Sequence, residues 1–154
     1  MPDVRALIAA AQPDAVDVAV DVPARANEAF VAAEHLPGVA ALLRDRHGFG
    51  LLTNITVVDF LAQGVFEVVY HFVNPHGGPA IAIKVRVERD RPRIPSLSQE
   101  WPGANLQERE AFDLYGVEFE GHPNLRRVYM WDELEGFPMR KDFPKHGDKY
   151  MAEE

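Results

Sequence analysis

Hydrophobic and polar positions divide the first half of the chain into short periodic blocks. Val4, Leu7, Ile8 and Ala11 recur at helical spacing and predict a helix over residues 2–11. Val16, Val18, Val20 and Val22 then alternate with Asp17, Ala19 and Asp21, the pattern of a half-buried strand that Pro23 ends. Residues 24–35 read as a second helix, bracketed by Pro23 and by Pro37-Gly38, and residues 39–46 add a further helical turn or two. Three strands follow over 51–60, 65–73 and 80–89. In the middle one, Phe66, Val68, Tyr70 and Phe72 lie on one side and Val65, Glu67, Val69 and His71 on the other. In the third, Ile81, Ile83, Val85 and Val87 alternate with Lys84, Arg86 and Glu88. Pro75-His76-Gly77-Gly78-Pro79 is a turn, and links this tight favour an antiparallel meander.

Residues 89–95 break the periodicity with two prolines and three arginines. Asn105 then stands as an N-cap with Glu108 three residues later, the pattern of a capping box. The helix it opens runs to Tyr115, with Gly116 at the C′ position. From 121 to 154 little period remains, and Pro123, Gly136, Pro138 and Pro144 punctuate the stretch. So long a run without regular structure is unusual inside a compact domain and reads as chain laid along a partner. The expected fold is α+β: a mixed, largely antiparallel sheet of four to five strands with helices packed on one face. Residues 1–120 form that domain and residues 121–154 an extended C-terminal docking segment.

Composition narrows the choice of function. A chain of 154 residues, 47% apolar, suits one domain with a full core. Its net charge of −8 argues against nucleic-acid binding, which needs a basic face. With no cysteine there is no disulfide, no thiolate-held zinc or iron–sulfur cluster, and no thiol nucleophile. The N-terminus lacks the pattern of a signal peptide, and no apolar run reaches membrane-spanning length. Phosphate-loop, dinucleotide and nucleophile-elbow motifs are missing as well.

The densest chemistry lies at 108–127. Charge at this density is costly to bury unless each group has a partner, so the stretch is either an active site or a surface for another macromolecule. Glu108, Glu110 and Asp113 offer candidate acid/base carboxylates, but neighbours on one helix, with Arg109 beside them, are more often ion-pair partners. His122 has no companion histidine at ligand spacing and suits a turn. A hydrolase using Glu110 or Asp113 with His122 is the enzymatic alternative. Arg126 and Arg127, then Arg140, Lys141 and Asp142, are clusters suited to capturing carboxylates on another protein. Tyr129, Trp131, Phe137 and Phe143 surround them, and aromatics with arginine are the residue types enriched at interface cores.

Taken together, Glu108-Arg109-Glu110, Asp113-Leu114-Tyr115-Gly116, Gly121-His122-Pro123 and Leu125-Arg126-Arg127 resemble the signature of the 30 kDa subunit family of respiratory complex I, the proton-pumping NADH:quinone oxidoreductase. Ile94 to Leu97, Trp101 to Asn105, Glu135 to Pro144 and the strand around Phe66 to His71 resemble its flanks, so the likeness spans about residues 66–145. It implies a non-redox subunit of the peripheral arm with no cofactor of its own, the iron–sulfur clusters, FMN and quinone lying in partner subunits. It implies complex I-type subunits D and B and other peripheral-arm subunits as partners, within a hetero-oligomer on the cytoplasmic side of the inner membrane. Glu108, Arg109, Glu110, Asp113, His122, Arg126, Arg127, Arg140, Lys141 and Asp142 are the expected interface or structural polar lattice. An equivalent subunit of a ferredoxin- or F420H2-dependent quinone oxidoreductase, or of an energy-converting membrane-bound hydrogenase, is the alternative.

Overall fold

The computed structural model describes residues 3–20 and 22–144, so the last ten residues of the expected docking segment lie outside the described residues. Helix α1 (Val4–Ala11) is capped by Asp3, whose carboxylate accepts from the Ala6 amide at 3.2 Å, and it buries Val4 and Ile8 one turn apart. A single 3-10 turn (Pro13–Val16) follows, then β1 (Glu28–Phe30), another 3-10 turn (Ala33–His35) and α2 (Leu36–His47). After α2 come β2 (Leu51–Phe60), β3 (Val65–Val73), β4 (Ile81–Glu88) and β5 (Arg93–Pro95). Helix α3 (Ala104–Tyr115) and β6 (Glu118–Glu120) complete the order.

The main sheet is mixed, in the order β1-β4-β3-β2. The β2-β3-β4 meander is antiparallel, and β1 joins the far side of β4 in parallel. A second small parallel sheet pairs β5 with β6. The period-two alternation of β3 does what it predicts: Phe66, Val68, Tyr70 and Phe72 are all fully buried. Val4 and Ile8 of α1, Leu36, Val39 and Leu43 of α2, and Ala104 and Ala111 of α3 close the same core. Each large side chain buried there contributes about 1.5–3 kcal/mol relative to exposure. On the other face, Glu67 pairs with Arg86 at 3.2 Å and Glu28 with Lys84 at 3.3 Å, and the Arg86 guanidinium stacks over Phe60.

β2 is an edge strand, and α3 lies beside it. The Ile55 amide, on the side of β2 away from β3, donates to the Gln107 side-chain carbonyl at 2.6 Å.

Two stretches differ from the sequence reading. Residues 16–22 form no strand: Val16 ends a 3-10 turn and residues 17–20 are irregular, while Asp21 lies outside the described residues. The valine alternation exists, but the strand beside β4 is β1, so residues 17–20 have no ladder to join. Residues 24–35 are not a helix either. Ala29 and Val31 point inward, 0% and 1% exposed, with the alternation of β1. Pro37 does not end a helix but opens one, in the first turn of α2, where its missing N–H has no partner to lose.

Candidate functional site

Helix α3 organises the charged stretch. It starts after Pro102-Gly103 and stops at Gly116, whose φ of 81° is the left-handed C-cap that glycine adopts without strain. No side chain caps its N-terminus, so the expected box between Asn105 and Glu108 is not formed. Glu108 faces inward instead, fully buried, accepting from the Ser96 hydroxyl at 2.6 Å and the Leu97 amide at 2.7 Å. A helical position buried against the 96–98 segment is drawn into that contact, while the Asn105 carbonyl accepts from His122 Nε2 at 3.1 Å.

Further along α3, Asp113 is 0% exposed. One carboxylate oxygen meets Arg127 Nη1 at 3.2 Å; the other accepts the amides of Val128, Tyr129 and Met130 at 3.1, 2.6 and 3.1 Å. Burial pushes this carboxyl up, but the amides and the Arg127 charge outweigh it and hold the group below its ordinary 3.8. Arg127 also donates to the Leu134 and Gly136 carbonyls and lies over the Phe137 ring, so one guanidinium folds the 127–137 loop around itself. Arg109 reaches back to the Arg126 and Arg127 carbonyls, and the Tyr129 hydroxyl donates to Glu110 at 2.8 Å. His122 Nδ1 accepts from the Asn124 amide at 3.0 Å, which with the Asn105 bond places the ring proton on Nε2.

A third group ties the end of the described chain to the sheet. Arg140 donates to the Tyr115 carbonyl at 2.7 Å and lies between the rings of Phe66 and Phe137. Burial, then the neighbouring Arg89 charge, lowers its pKa. Arg89, 10% exposed, grips Asp59 through two bonds of 2.8 and 3.0 Å and Asp142 through two of 2.8 and 3.2 Å. Hydrogen bonds to Asp142 and Asp59 raise the Arg89 pKa. The Lys141 amide donates to Asp59 at 2.8 Å, so the role of Lys141 here is carried by its backbone and its side chain is exposed.

Of the ten residues singled out from sequence, Arg109, Glu110, Asp113, His122, Arg127, Arg140, Lys141 and Asp142 thus make bonds that hold 121–144 against α3 and the sheet. Glu108 belongs to a separate buried pocket. The Arg126 side chain is exposed and has no ion pair among the described residues. Asp59, Arg89 and Gln107 were not singled out. Asp59 had a readable signal, an acid on the inward register of a strand, and it is 5% exposed. The surface left facing outward carries Tyr129, Trp131 and Met139, 61%, 48% and 54% exposed, beside Arg126. The described residues contain no cluster of His, Cys, Asp or Glu that could hold a metal ion, and no helix long and apolar enough to cross a membrane.

Fold and site define an α+β scaffold with a long irregular segment stapled over one helix and one sheet edge. The chain belongs to the respiratory-chain NADH dehydrogenase 30 Kd subunit family, whose model matches residues 29–149. The C subunit of NADH-quinone oxidoreductase from Moorella thermoacetica is 44% identical over 124 residues, 80% of this chain and 81% of that one. In Aquifex aeolicus, a longer chain named for both the C and D subunits of NADH-quinone oxidoreductase is 37% identical over 118 residues, 76% of this chain and 20% of its own length. Among solved structures, a chain of the membrane-bound sulfane sulfur reductase (MBS), an archaeal respiratory membrane complex, superposes with a TM-score of 0.76. It is 28% identical, and the match covers 94% of this chain and 85% of that one.

Proposed function

We propose that this chain is the non-redox 30 kDa-type subunit of a complex I-type NADH:quinone oxidoreductase. It serves as a rigid platform on the cytoplasmic side of the membrane that docks the subunits bearing the clusters and the quinone site. It holds no cofactor and catalyses nothing by itself. The observation that carries this reading is the Asp113–Arg127 knot. It commits a buried ion pair and three amides to fixing a loop whose outward side chains are aromatic and cationic. A loop fixed in this way suits recognition, since aromatics and arginine dominate interface energetics. The relative named for both C and D supports D as the first partner, and B and further peripheral-arm subunits follow from the same reading.

The test is Arg126→Ala in the complex. Because this side chain has no ion pair within the described residues, its loss leaves the chain folded and weakens assembly on native gels. Intact complex with undiminished quinone reduction in that variant rules the docking role out.

The likeness to a chain of MBS over 94% of this sequence favours one second reading, an equivalent subunit of a related respiratory membrane complex. Purified native complex that reduces quinone with NADH decides for the first reading; inertness toward NADH with activity from another donor decides for the second.

A further inference from the structure

Glu108 is 0% exposed, and none of its hydrogen bonds comes from a cation. Arg109, next to it on α3, is turned to the carbonyls of Arg126 and Arg127. The segment packed against it brings two serines. From β3 comes Tyr70, fully buried, whose hydroxyl has no hydrogen-bond partner and which feels the Glu108 charge. Burial pushes the Tyr70 phenol well up, so it stays neutral. Across the outer wall, the charged groups are Glu100 and Glu120, which line an open cleft of about 280 Å³ together with Ser96 and Leu97. Glu100 is paired with Arg44 at 3.4 Å, and neither acid offers Glu108 a counter-ion.

The bonding around the carboxyl can be rearranged to accept either protonation state. When Glu108 is charged, the Ser98 hydroxyl donates to Ser96 Oγ at 2.7 Å and the Ser96 hydroxyl donates to Glu108 Oε2 at 2.6 Å. When Glu108 carries a proton, Oε2–H donates to Ser96 Oγ, the Ser96 hydroxyl turns to donate to Ser98 Oγ, and the Ser98 hydroxyl gives up its acceptor. No heavy atom moves. The Leu97 amide on Oε1 and the Ser98 amide on Ser96 Oγ, at 2.7 and 3.1 Å, hold in both states. The Ser96 and Leu97 bonds favour the charged form, but desolvation outweighs them, because a buried carboxylate without a counter-ion is disfavoured.

We infer that Glu108 is a buried site that takes up and releases one proton, exchanged with the outer cleft through the Ser96 hydroxyl. A solvent proton arrives from the cleft at Ser96 Oγ, and the Ser96 proton passes to Glu108 Oε2. One proton enters, one O–H bond forms at the carboxyl, and Ser96 ends with the single proton it began with. Ser96, which lines the cleft and is the more exposed of the two serines, is the outer end of this path. Burial, opposed by the Ser96 and Leu97 bonds, pushes the Glu108 carboxyl up to about 7, which makes the exchange a neutral-pH event. The site stands on its own geometry and does not depend on the docking role.

The test is infrared titration of the full chain. One protonated-carboxyl stretch bleaches with a midpoint near pH 7 and is missing from Glu108→Gln. A stretch that bleaches wholly in the ordinary carboxylate range, or that survives in Glu108→Gln, overturns the site. Should Glu108→Gln fail to fold, Ser96→Ala decides. Loss of a hydroxyl that favours the charged form raises the midpoint by about one pH unit, and an unmoved midpoint is the contrary result. After a pH jump, Ser96→Ala also bleaches more slowly; an unchanged rate removes the relay.

Discussion

Asp113 and Arg127 are joined at 3.2 Å where α3 meets the irregular segment, and neither has appreciable access to water, 0% and 9% exposed by side chain. Removing the acid leaves the Arg127 charge without a counter-ion, held by carbonyls alone, and three amides without their acceptor. Asp113→Ala therefore lowers stability by about 3–5 kcal/mol. Urea unfolding of the full chain measures it. Because the Asp113 pKa lies below 3.8 in the fold, its contribution is complete above that pH and fades as pH falls through the lowered value. The gap between the native chain and Asp113→Asn accordingly closes in acid.

Gly116 is required twice over. Its φ of 81° strains any side chain, and a Cβ would lie 2.6 Å from the Phe137 ring and 2.7 Å from Arg140 Nη2. Gly116→Ala costs about 1 kcal/mol for the backbone alone and also pries the 137–140 turn from α3. Limited proteolysis checks this: new cleavage within 136–144 is expected, with the β2-β3-β4 meander still protected.

Arg89 holds one buried and one exposed acid, with Asp59 at 3% and Asp142 at 52% exposure. The two partners are not equivalent. Arg89→Ala strands the Asp59 charge and costs about 3–5 kcal/mol, whereas Asp142→Ala costs under about 1 kcal/mol. Denaturant midpoints of both variants give the ratio directly, and equal losses contradict this account.

Glu108 acts on stability in the opposite sense to Asp113. Its carboxyl titrates near 7 in the fold against an ordinary 4.5, so the unfolded chain gives up its proton first as pH rises. Stability contributed by this group is full below 4.5 and is lost progressively up to 7, by about 3 kcal/mol. Glu108→Gln, whose amide donates to Ser96 Oγ, removes that loss. Urea midpoints at about pH 4 and pH 8 show it as equal stability in acid and a gain in mild base.

The meander, α3 and its glycine stop were legible because each rests on local pattern: alternation, a helix period, and a residue that tolerates positive φ. β1 was not, since three residues in a parallel pairing carry almost no period and are defined by distant β4. The polar residues of the lattice were legible as a set, through their density and signature. Their pairings were not. Nothing in the order of the chain tells that Asp113 accepts from 128–130 rather than from Arg109, or that Glu108 turns inward to Ser96. Those choices are made by which face of α3 meets the core.

Gln107 gives the ladder of β2 a partner that is not a strand. By occupying the Ile55 amide with a side-chain amide, α3 bars another chain from zipping onto this edge, the route by which unpaired strands drive aggregation. A newly made copy is thereby protected from its own kind along this edge, while the exposed aromatics Tyr129 and Trp131 lie off the sheet altogether.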